Sequence, residues 1–184
     1  MKINNNKQEL KIDNGTYLDD IICSTRGGKF ILYYKDNNRY EGDLINNKRE
    51  GKEIIHYNND DRYEGDVINT KKEGKGVYYF NNGDRYEGDF KNDKKEGKGI
   101  IYFNNGKRYE GEFKNGLVEG KGIYYSSYGE RYKVDWVKNK REGKGIKYYT
   151  NRDKEMGDYS DDKPLGDHKL FKNNGEILII KYID

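Results

Sequence analysis

Apolar and small residues alternate with charged residues over short stretches of this chain. Residues 86–90 read Tyr-Glu-Gly-Asp-Phe, so that rings and glycine take every second position and carboxylates lie between them. A period of two predicts a β-strand with one half-buried face. Residues 97–103 predict a second strand, because isoleucine and aromatic residues follow two glycines. Polar residues 91–96 predict a connection, and Asn104-Asn105-Gly106 predicts a turn, since Asn and Gly tolerate positive φ.

This unit of strand, connection, strand and turn recurs every 23 residues. An opening tyrosine marks six copies, at Tyr17, Tyr40, Tyr63, Tyr86, Tyr109 and Tyr132. A glycine lies eleven residues after each opening position, at Gly28, Gly51, Gly74, Gly97, Gly120, Gly143 and Gly166. Such strict spacing predicts that every copy does the same structural work.

The repeats predict an all-β fold, an elongated antiparallel meander of stacked β-hairpins that forms a single repeat domain. We expect a leader at residues 1–16, seven repeats over residues 17–172, and a capping half-repeat at residues 173–184. The repeats begin at positions 17, 40, 63, 86, 109, 132 and 155. The half-repeat ends in an apolar strand, which pairs with another chain unless it is covered.

Glycines at fixed positions predict slots for neighbouring rings. If Gly88 lies opposite Gly99 and Phe90 opposite Gly97, Asp89 faces Lys98 across the same hairpin. The same register predicts four further charge pairs, Asp43–Lys52, Asp66–Lys75, Glu112–Lys121 and Asp135–Lys144. A slip of one residue would break all of these pairs.

Composition narrows the class of protein. Hydrophobic residues make up 32% and charged residues 38%, which fits a sheet with one aromatic and one charged face. A net charge of +3 argues against a nucleic-acid-binding protein. The single cysteine, Cys23, excludes an intrachain disulfide and fits a reducing compartment. The chain shows no apolar signal segment and no run of membrane-spanning length, so we expect a cytoplasmic location.

The sequence offers no catalytic constellation. The recurrent Gly-Lys-Gly precedes a predicted strand, whereas a phosphate-binding loop needs Gly-Lys-Ser/Thr before a helix. His56 and His168 are the only histidines, and neither has acidic or cysteine neighbours at metal-ligand spacing. We therefore predict no enzymatic activity, no cofactor, no metal and no small-molecule substrate.

The motif resembles the MORN repeat, the "membrane occupation and recognition nexus", whose pattern is roughly YEGEW-x-N-G-x-x-x-G-x-G. Four copies match closely, those that open at Tyr40, Tyr63, Tyr86 and Tyr109, and the tryptophan of the pattern is kept at Trp136. The resemblance covers residues 17 to about 183. It implies a hairpin array with a groove lined by aromatic residues and glycines. It also implies a scaffold role, antiparallel homodimers in many relatives, and association with lipid kinases or membrane junctions in some.

Two candidate sites follow. An aromatic stripe would bind a protein segment or a second copy of the chain, unless stacking buries it within the monomer. Its residues are Tyr40, Tyr63, Tyr86, Phe90, Tyr109, Phe113 and Trp136. Alternatively, basic loop residues would bind anionic phospholipid and make the chain a peripheral membrane adaptor, although neighbouring glutamates dilute their charge. These are Lys48, Arg49, Lys71, Lys72, Lys94, Lys95, Lys140 and Arg141. A regulatory subunit of an enzyme is a third hypothesis.

Overall fold

A computed structural model describes residues 22–26, 29–34, 36–45 and 48–183, and the side chains from residue 29 onward. The predicted leader, Tyr17 and Gly28 lie outside the described residues. All regular elements in the described ranges are β-strands. The described part of the chain contains no helix with the length and apolarity to cross a membrane.

Fifteen strands, counted over the described residues, lie in the sheet in the order of the chain, and every described pairing is antiparallel. They are β1 (Ile22–Arg26), β2 (Lys29–Tyr33), β3 (Arg39–Ile45), β4 (Lys48–His56), β5 (Arg62–Ile68), β6 (Lys71–Tyr79), β7 (Arg85–Lys91), β8 (Lys94–Tyr102), β9 (Arg108–Lys114), β10 (Leu117–Tyr125), β11 (Arg131–Val137), β12 (Lys140–Tyr148), β13 (Lys154–Ser160), β14 (Lys163–Phe171) and β15 (Ile177–Tyr182). The predicted all-β antiparallel meander is confirmed.

The chain divides into two units. The first comprises Met1–Gly83 and Asp89–Asp93, and the second comprises Asp84–Gly88 and Lys94–Asp184. In each unit we call the face that carries the opening tyrosines the inner face. The opposite face, which carries the arginine before each opening tyrosine, is the outer face.

Five of the described hairpins close with a turn of only two residues. Asn92 and Asp93 both have positive φ, 48° and 67°. Two central residues with positive φ form the type I′ turn, which matches the twist of the flanking strands. The same turn occurs at residues 69–70, 115–116, 138–139 and 161–162. The predicted polar connection at residues 91–96 is therefore wrong, because most of it belongs to β7 and β8.

The register differs from the predicted one beyond the glycines. Gly65 pairs with Gly76 as the repeat pattern predicted, but the register then shifts, so that Val67 pairs with Lys72. This shift in register is a β-bulge. The bulge contains Gly74, whose φ is +62°. In the second unit Gly97 pairs with Phe113 of the next repeat. On its β9 side Gly97 thus faces a phenylalanine of the next repeat, and the predicted pairing of Phe90 with Gly97 within the repeat stays a prediction.

The charge pairs accordingly join successive repeats. Nζ of Lys52 lies 2.6 Å from Oδ1 of Asp66, and Nζ of Lys75 lies 2.5 Å from Oδ1 of Asp89. The second unit places Lys98 opposite Glu112, Lys121 opposite Asp135 and Lys144 opposite Asp158. The predicted side-chain pairs within a repeat are wrong for Asp43–Lys52, Asp66–Lys75, Glu112–Lys121 and Asp135–Lys144, because the register shift leaves each lysine unpaired with the acid of its own hairpin. The pair Asp89–Lys98 stays a prediction.

The glutamate at the third position of β4, β6, β8, β10 and β12 holds the next hairpin turn. Oε1 of Glu73 accepts a hydrogen bond of 2.8 Å from the N–H of Asn92. Four other glutamates make the same contact, Glu50 to Asn69, Glu96 to Asn115, Glu119 to Lys138 and Glu142 to Asp161. These carboxylates satisfy turn N–H groups that would otherwise lack a protein partner.

Candidate functional site

Four of the opening tyrosines, Tyr40, Tyr63, Tyr86 and Tyr109, lie over the predicted glycine slots. The Tyr63 ring lies over Gly65 and Gly76, and a Cβ atom added at Gly76 would lie 2.5 Å from its Cε2. The Tyr63 hydroxyl donates a hydrogen bond of 2.8 Å to the carbonyl of Asp66. Because the ring rests on bare backbone and its hydroxyl is satisfied, the slot requires both the glycines and the tyrosine.

Three of these rings also contact an aromatic residue of the following repeat. In the first unit Tyr63 meets Phe90 at a centroid distance of 5.2 Å and an interplanar angle of 82°. In the second unit Tyr86 meets Phe113 at 5.0 Å and 78°, and Tyr109 meets Trp136 at 5.3 Å and 79°. These are edge-to-face contacts, which are favoured by the ring quadrupoles.

The predicted stripe is therefore the interior of the units. Tyr40, Tyr63 and Tyr86 are 0% exposed, and the least buried of the seven residues, Trp136, is 8% exposed. Phe90, Tyr109 and Phe113 lie between these values. Direct contact of a partner with these rings conflicts with their burial. The alternative, burial within the monomer, agrees with the structure.

A second set of rings lies beside the core and remains half-exposed. Tyr57 and Tyr78 have centroids 5.7 Å apart, and Tyr78 and Phe80 have centroids 4.7 Å apart. Tyr78 pairs with Tyr63, so it lies on the inner face. We call Tyr57, Tyr78 and Phe80 the aromatic surface. The sequence prediction did not include these residues, although the alternation in β6 indicated the face of Tyr78.

Polar contacts fix the rings of the aromatic surface. The Tyr78 hydroxyl donates to Oδ2 of Asp61 at 2.7 Å, and Lys72 donates to the Tyr57 hydroxyl at 3.1 Å. Burial raises the pKa of Asp61, but hydrogen bonds from Tyr78, Asn81 and its own loop outweigh burial and hold the pKa below its usual value. Asp61 is thus an ionised acceptor, and the surface is held in place before a ligand arrives.

The eight predicted loop basic residues lie in strands, at the starts of β4, β6, β8 and β12. The loop prediction is wrong because the turns are so short. The second member of each pair covers a tyrosine ring, Arg49 at 5.4 Å from Tyr40, Lys72 at 5.0 Å from Tyr78, Lys95 at 5.2 Å from Tyr86 and Arg141 at 5.0 Å from Tyr132. Four of the eight therefore cover rings on the inner face, and lipid binding stays a prediction.

Comparison with known families agrees with this geometry. A model described as MORN repeat matches five segments, residues 40–52, 63–85, 86–108, 109–130 and 135–154. The chain belongs to the MORN-repeat family. Four of the five segments begin at an opening tyrosine, that is at Tyr40, Tyr63, Tyr86 and Tyr109. The resemblance stated from the sequence is confirmed.

Solved structures share the fold at low identity. The TCP domain of SAS-4 (dCPAP) of Drosophila melanogaster, in complex with a proline-rich motif of Ana2 (dSTIL), matches with a TM-score of 0.59 and 18% identity over 88% of this chain and 90% of that chain. The wild-type TCP10 domain of Danio rerio CPAP matches with a TM-score of 0.57 and 9% identity over 88% and 78%. No curated protein sequence matches significantly.

The predicted seventh repeat, which opens at Glu155, replaces the tyrosine slot by a hydrogen-bonded histidine and glutamate. Glu155 stands at the tyrosine position and His168 at the second glycine position, and the His168 ring fills the space above Gly157. Nε2 of His168 donates a hydrogen bond of 2.8 Å to the carbonyl of Asp158. Asp158 lies three residues after Glu155, just as Asp66, whose carbonyl accepts the hydrogen bond of the Tyr63 hydroxyl, lies three residues after Tyr63. The ring has thus moved from the first strand of the hairpin to the second.

Glu155 holds this exchanged ring in place. Its Oε1 lies 2.8 Å from Nδ1 of His168 and accepts a hydrogen bond of 2.8 Å from the Tyr182 hydroxyl, and its Oε2 accepts one from the Tyr149 hydroxyl. Burial raises the pKa of Glu155, but the hydrogen bonds from two tyrosines and the histidine outweigh burial and keep the pKa below its usual value. Tyr182 belongs to β15, so this network ties the last strand to the repeat.

The second repeat carries a buried carboxyl in its slot. Glu53 stands at the second glycine position and is 3% exposed. Neither of its carboxyl oxygens has a hydrogen-bond partner among the described residues. Burial raises the pKa of Glu53 to about 7, against partial opposition from the charge of Arg49. The protonated form is therefore favoured in the folded state.

Glu53 predicts a pH dependence of stability. Because its folded pKa of about 7 exceeds the ordinary 4.5, its contribution is fully present below 4.5 and is lost as pH rises to about 7. We expect the urea midpoint to fall between pH 5 and pH 8, and the fall to be smaller in Glu53→Gln. Equal falls in both proteins would contradict this role.

The described ranges contain no cluster of side chains suited to a metal ion. No group of three or more His, Cys, Asp or Glu side chains there is placed to hold a metal ion. The buried His168 and Glu155 bind each other and the adjacent backbone.

Proposed function

We propose that this MORN-repeat chain is a non-enzymatic scaffold that binds an extended segment of a partner protein across the aromatic surface. The half-exposed rings of Tyr57, Tyr78 and Phe80 carry the proposal, because they are rigidly held beside the buried slots and remain open to a ligand. Rigid rings offer large contact area at little cost in conformational entropy.

A proline-rich segment fits such a surface best. Polyproline II segments dock on aromatic grooves, because they are already extended and lose little entropy on binding. The similar Drosophila domain was solved in complex with a proline-rich motif, which supports this choice of ligand class. Self-recognition and anionic lipid remain the other outcomes of a binding test.

The non-enzymatic part of the proposal rests on how the polar groups are used. The alternating strand carboxylates bind the basic groups beside them, as Glu64 binds Arg62 and Asp66 binds Lys52. The buried histidine serves the packing of repeat seven. These groups therefore stabilise the sheet. A scaffold needs only a binding surface and no catalytic group.

The test titrates a ten-residue polyproline peptide into the full chain by calorimetry. Removal of two aromatic anchors typically costs more than about 1 kcal/mol each, so Tyr57→Ala with Phe80→Ala is expected to weaken binding at least tenfold. Tyr79→Ala is the control, because Tyr79 is a half-buried ring of β6, the strand of Tyr78, but lies on the outer face. The affinity of this variant for the peptide is expected to stay within twofold of that of the unsubstituted chain.

Other outcomes oppose the proposal. Equal loss in Tyr79→Ala and in the double variant would show that the aromatic surface is not the binding site. Absence of peptide binding, together with co-sedimentation of the chain with anionic but not neutral vesicles, would favour the lipid alternative. Concentration-dependent sedimentation without peptide binding would favour self-recognition.

A further inference from the structure

The outer face of the regular repeats neutralises its own arginines. In the second unit Arg85 stacks on the Tyr102 ring at 4.4 Å and pairs with Glu87 at 3.1 Å. Arg108 follows the same rule, with the Tyr125 ring at 4.2 Å and Glu110 at 3.7 Å, as does Arg62 of the first unit with Tyr79 and Glu64. Each repeat therefore presents one cation, one anion and one ring.

Repeats six and seven lose the anion and keep the cations. Arg131 stacks on Tyr148 at 4.3 Å, but the residue two positions later is Lys133 instead of glutamate. In repeat seven Lys154 is followed by Met156, and Lys169 pairs with Met156 across the hairpin. Within the described residues, no ion pair joins Arg131, Lys133, Lys154 or Lys169 to an acid, and all four are exposed. We call these four residues the basic strip.

The strand register places the basic strip in two adjacent rows. One row runs from Arg131 over Tyr148 to Lys154, and the other from Lys133 over Met156 to Lys169. At about 4.8 Å per strand, Arg131 and Lys154 lie roughly 10 Å apart and Lys133 and Lys169 roughly 14 Å apart. The strip therefore covers four strands, β11 to β14.

Along one long edge of the basic strip, opposite charges face each other on neighbouring strands. Lys144 lies opposite Asp158, and Asp167 lies opposite Lys181. The excess of positive charge is therefore confined to two rows of side chains. A membrane surface would contact the acidic rows as well, whereas a single peptide chain is narrow enough to follow the strip alone.

We propose that the basic strip binds an acidic segment of a partner protein. Arg131 offers a planar fork for a carboxylate, already oriented by its stacking on Tyr148. The lysines offer mobile cations around it, and Met156, 41% exposed, offers an adaptable apolar contact. The strip lies on the outer face and is independent of the aromatic surface, so each proposal survives the failure of the other.

The experiment measures fluorescence anisotropy of a labelled ten-residue polyglutamate peptide with the full chain at physiological salt, with polyglutamine as the neutral probe. Lys133→Glu with Lys169→Glu is expected to weaken binding about tenfold, since two exposed charge contacts become repulsive. Lys133→Glu recreates the Arg-x-Glu sequence of the regular repeats, so the variant is expected to fold.

Lys114→Glu with Lys163→Glu is the matched control, because it changes net charge equally at two other exposed lysines of the second unit. Its affinity is expected to stay within twofold of the unsubstituted chain. Equal weakening in both variants, equal binding of polyglutamine, or no binding of polyglutamate would overturn the proposal. So would binding to anionic vesicles that depends on Lys133 and Lys169 while the peptide does not bind.

Discussion

Replacement of His168 by glycine is expected to lower the free energy of unfolding of repeat seven by about 3–5 kcal/mol, because it removes a buried ring and one of the three side chains that bind the buried carboxyl group of Glu155. His168 is 0% exposed and Glu155 is 2% exposed, so the lost contacts lie in the interior. The slot above Gly157 would also be empty. Urea unfolding, with hydrogen exchange of the β13 to β15 amides as the local probe, measures this loss.

The matched rescue restores the MORN pattern. Glu155→Tyr alone is expected to destabilise as well, since two rings would compete for one slot. In the double variant Glu155→Tyr with His168→Gly, the new tyrosine would lie over two glycines, as Tyr63 does over Gly65 and Gly76. We expect the double variant to recover to within about 2 kcal/mol of the natural chain, and to be more stable than either single variant. If the double variant were no more stable than His168→Gly, the Glu155–His168 pair would not be a substitute for the tyrosine and glycine of the regular slot.

Gly76→Ala is expected to cost about 3 kcal/mol, because the added methyl group would overlap a buried ring. The added Cβ would lie 2.5 Å from Cε2 and 2.8 Å from Cζ of Tyr63. The ring is 0% exposed and also contacts Phe90, Lys72 and the carbonyl of Asp66, so it has little room to move. Ordinarily alanine stabilises a strand relative to glycine, so the sign itself tests the slot.

A double-mutant cycle isolates the clash. In a Tyr63→Ala background the ring is gone, and Gly76→Ala is expected to cost less than about 1 kcal/mol or to stabilise. The coupling between the two sites is then at least about 2 kcal/mol. Additive costs in the cycle would mean that Gly76 is needed for its backbone alone and that the ring contact is incidental.

The sequence predicts the architecture because its periodicities are local. The period of two in residues such as Tyr86 to Phe90 and the spacing of 23 residues require only that each hairpin pack like its neighbours. Paired glycines likewise predict the ring slots, and the structure confirms them at Gly65 and Gly76.

The register could not be predicted, because the charge pattern fits two arrangements. Lys75 has an acid available in its own repeat, Asp66, and another in the next, Asp89. The bulge at Gly74 decides between them. A glycine in a strand signals either a bulge or a close contact, and this motif uses both, Gly74 for the bulge and Gly76 for the contact.

The depth of each ring could not be predicted from the alternation of residues. Alternation places Tyr63 and Tyr78 on the inner face alike, but only packing makes one 0% exposed and leaves the other half-exposed. Repeat seven shows a similar limit. Glu155 and His168 look like independent drift in sequence, whereas both fall in one slot and compensate each other.

Hydroxyl-radical footprinting with and without polyproline peptide tests most directly whether the aromatic surface binds an extended partner segment. We expect the peptide to protect Tyr57, Tyr78 and Phe80 from oxidation and to leave the oxidation of the outer-face rings of Tyr79 and Tyr102 unchanged. Protection of the outer-face rings alone, or no protection of the aromatic surface at saturating peptide, would contradict it.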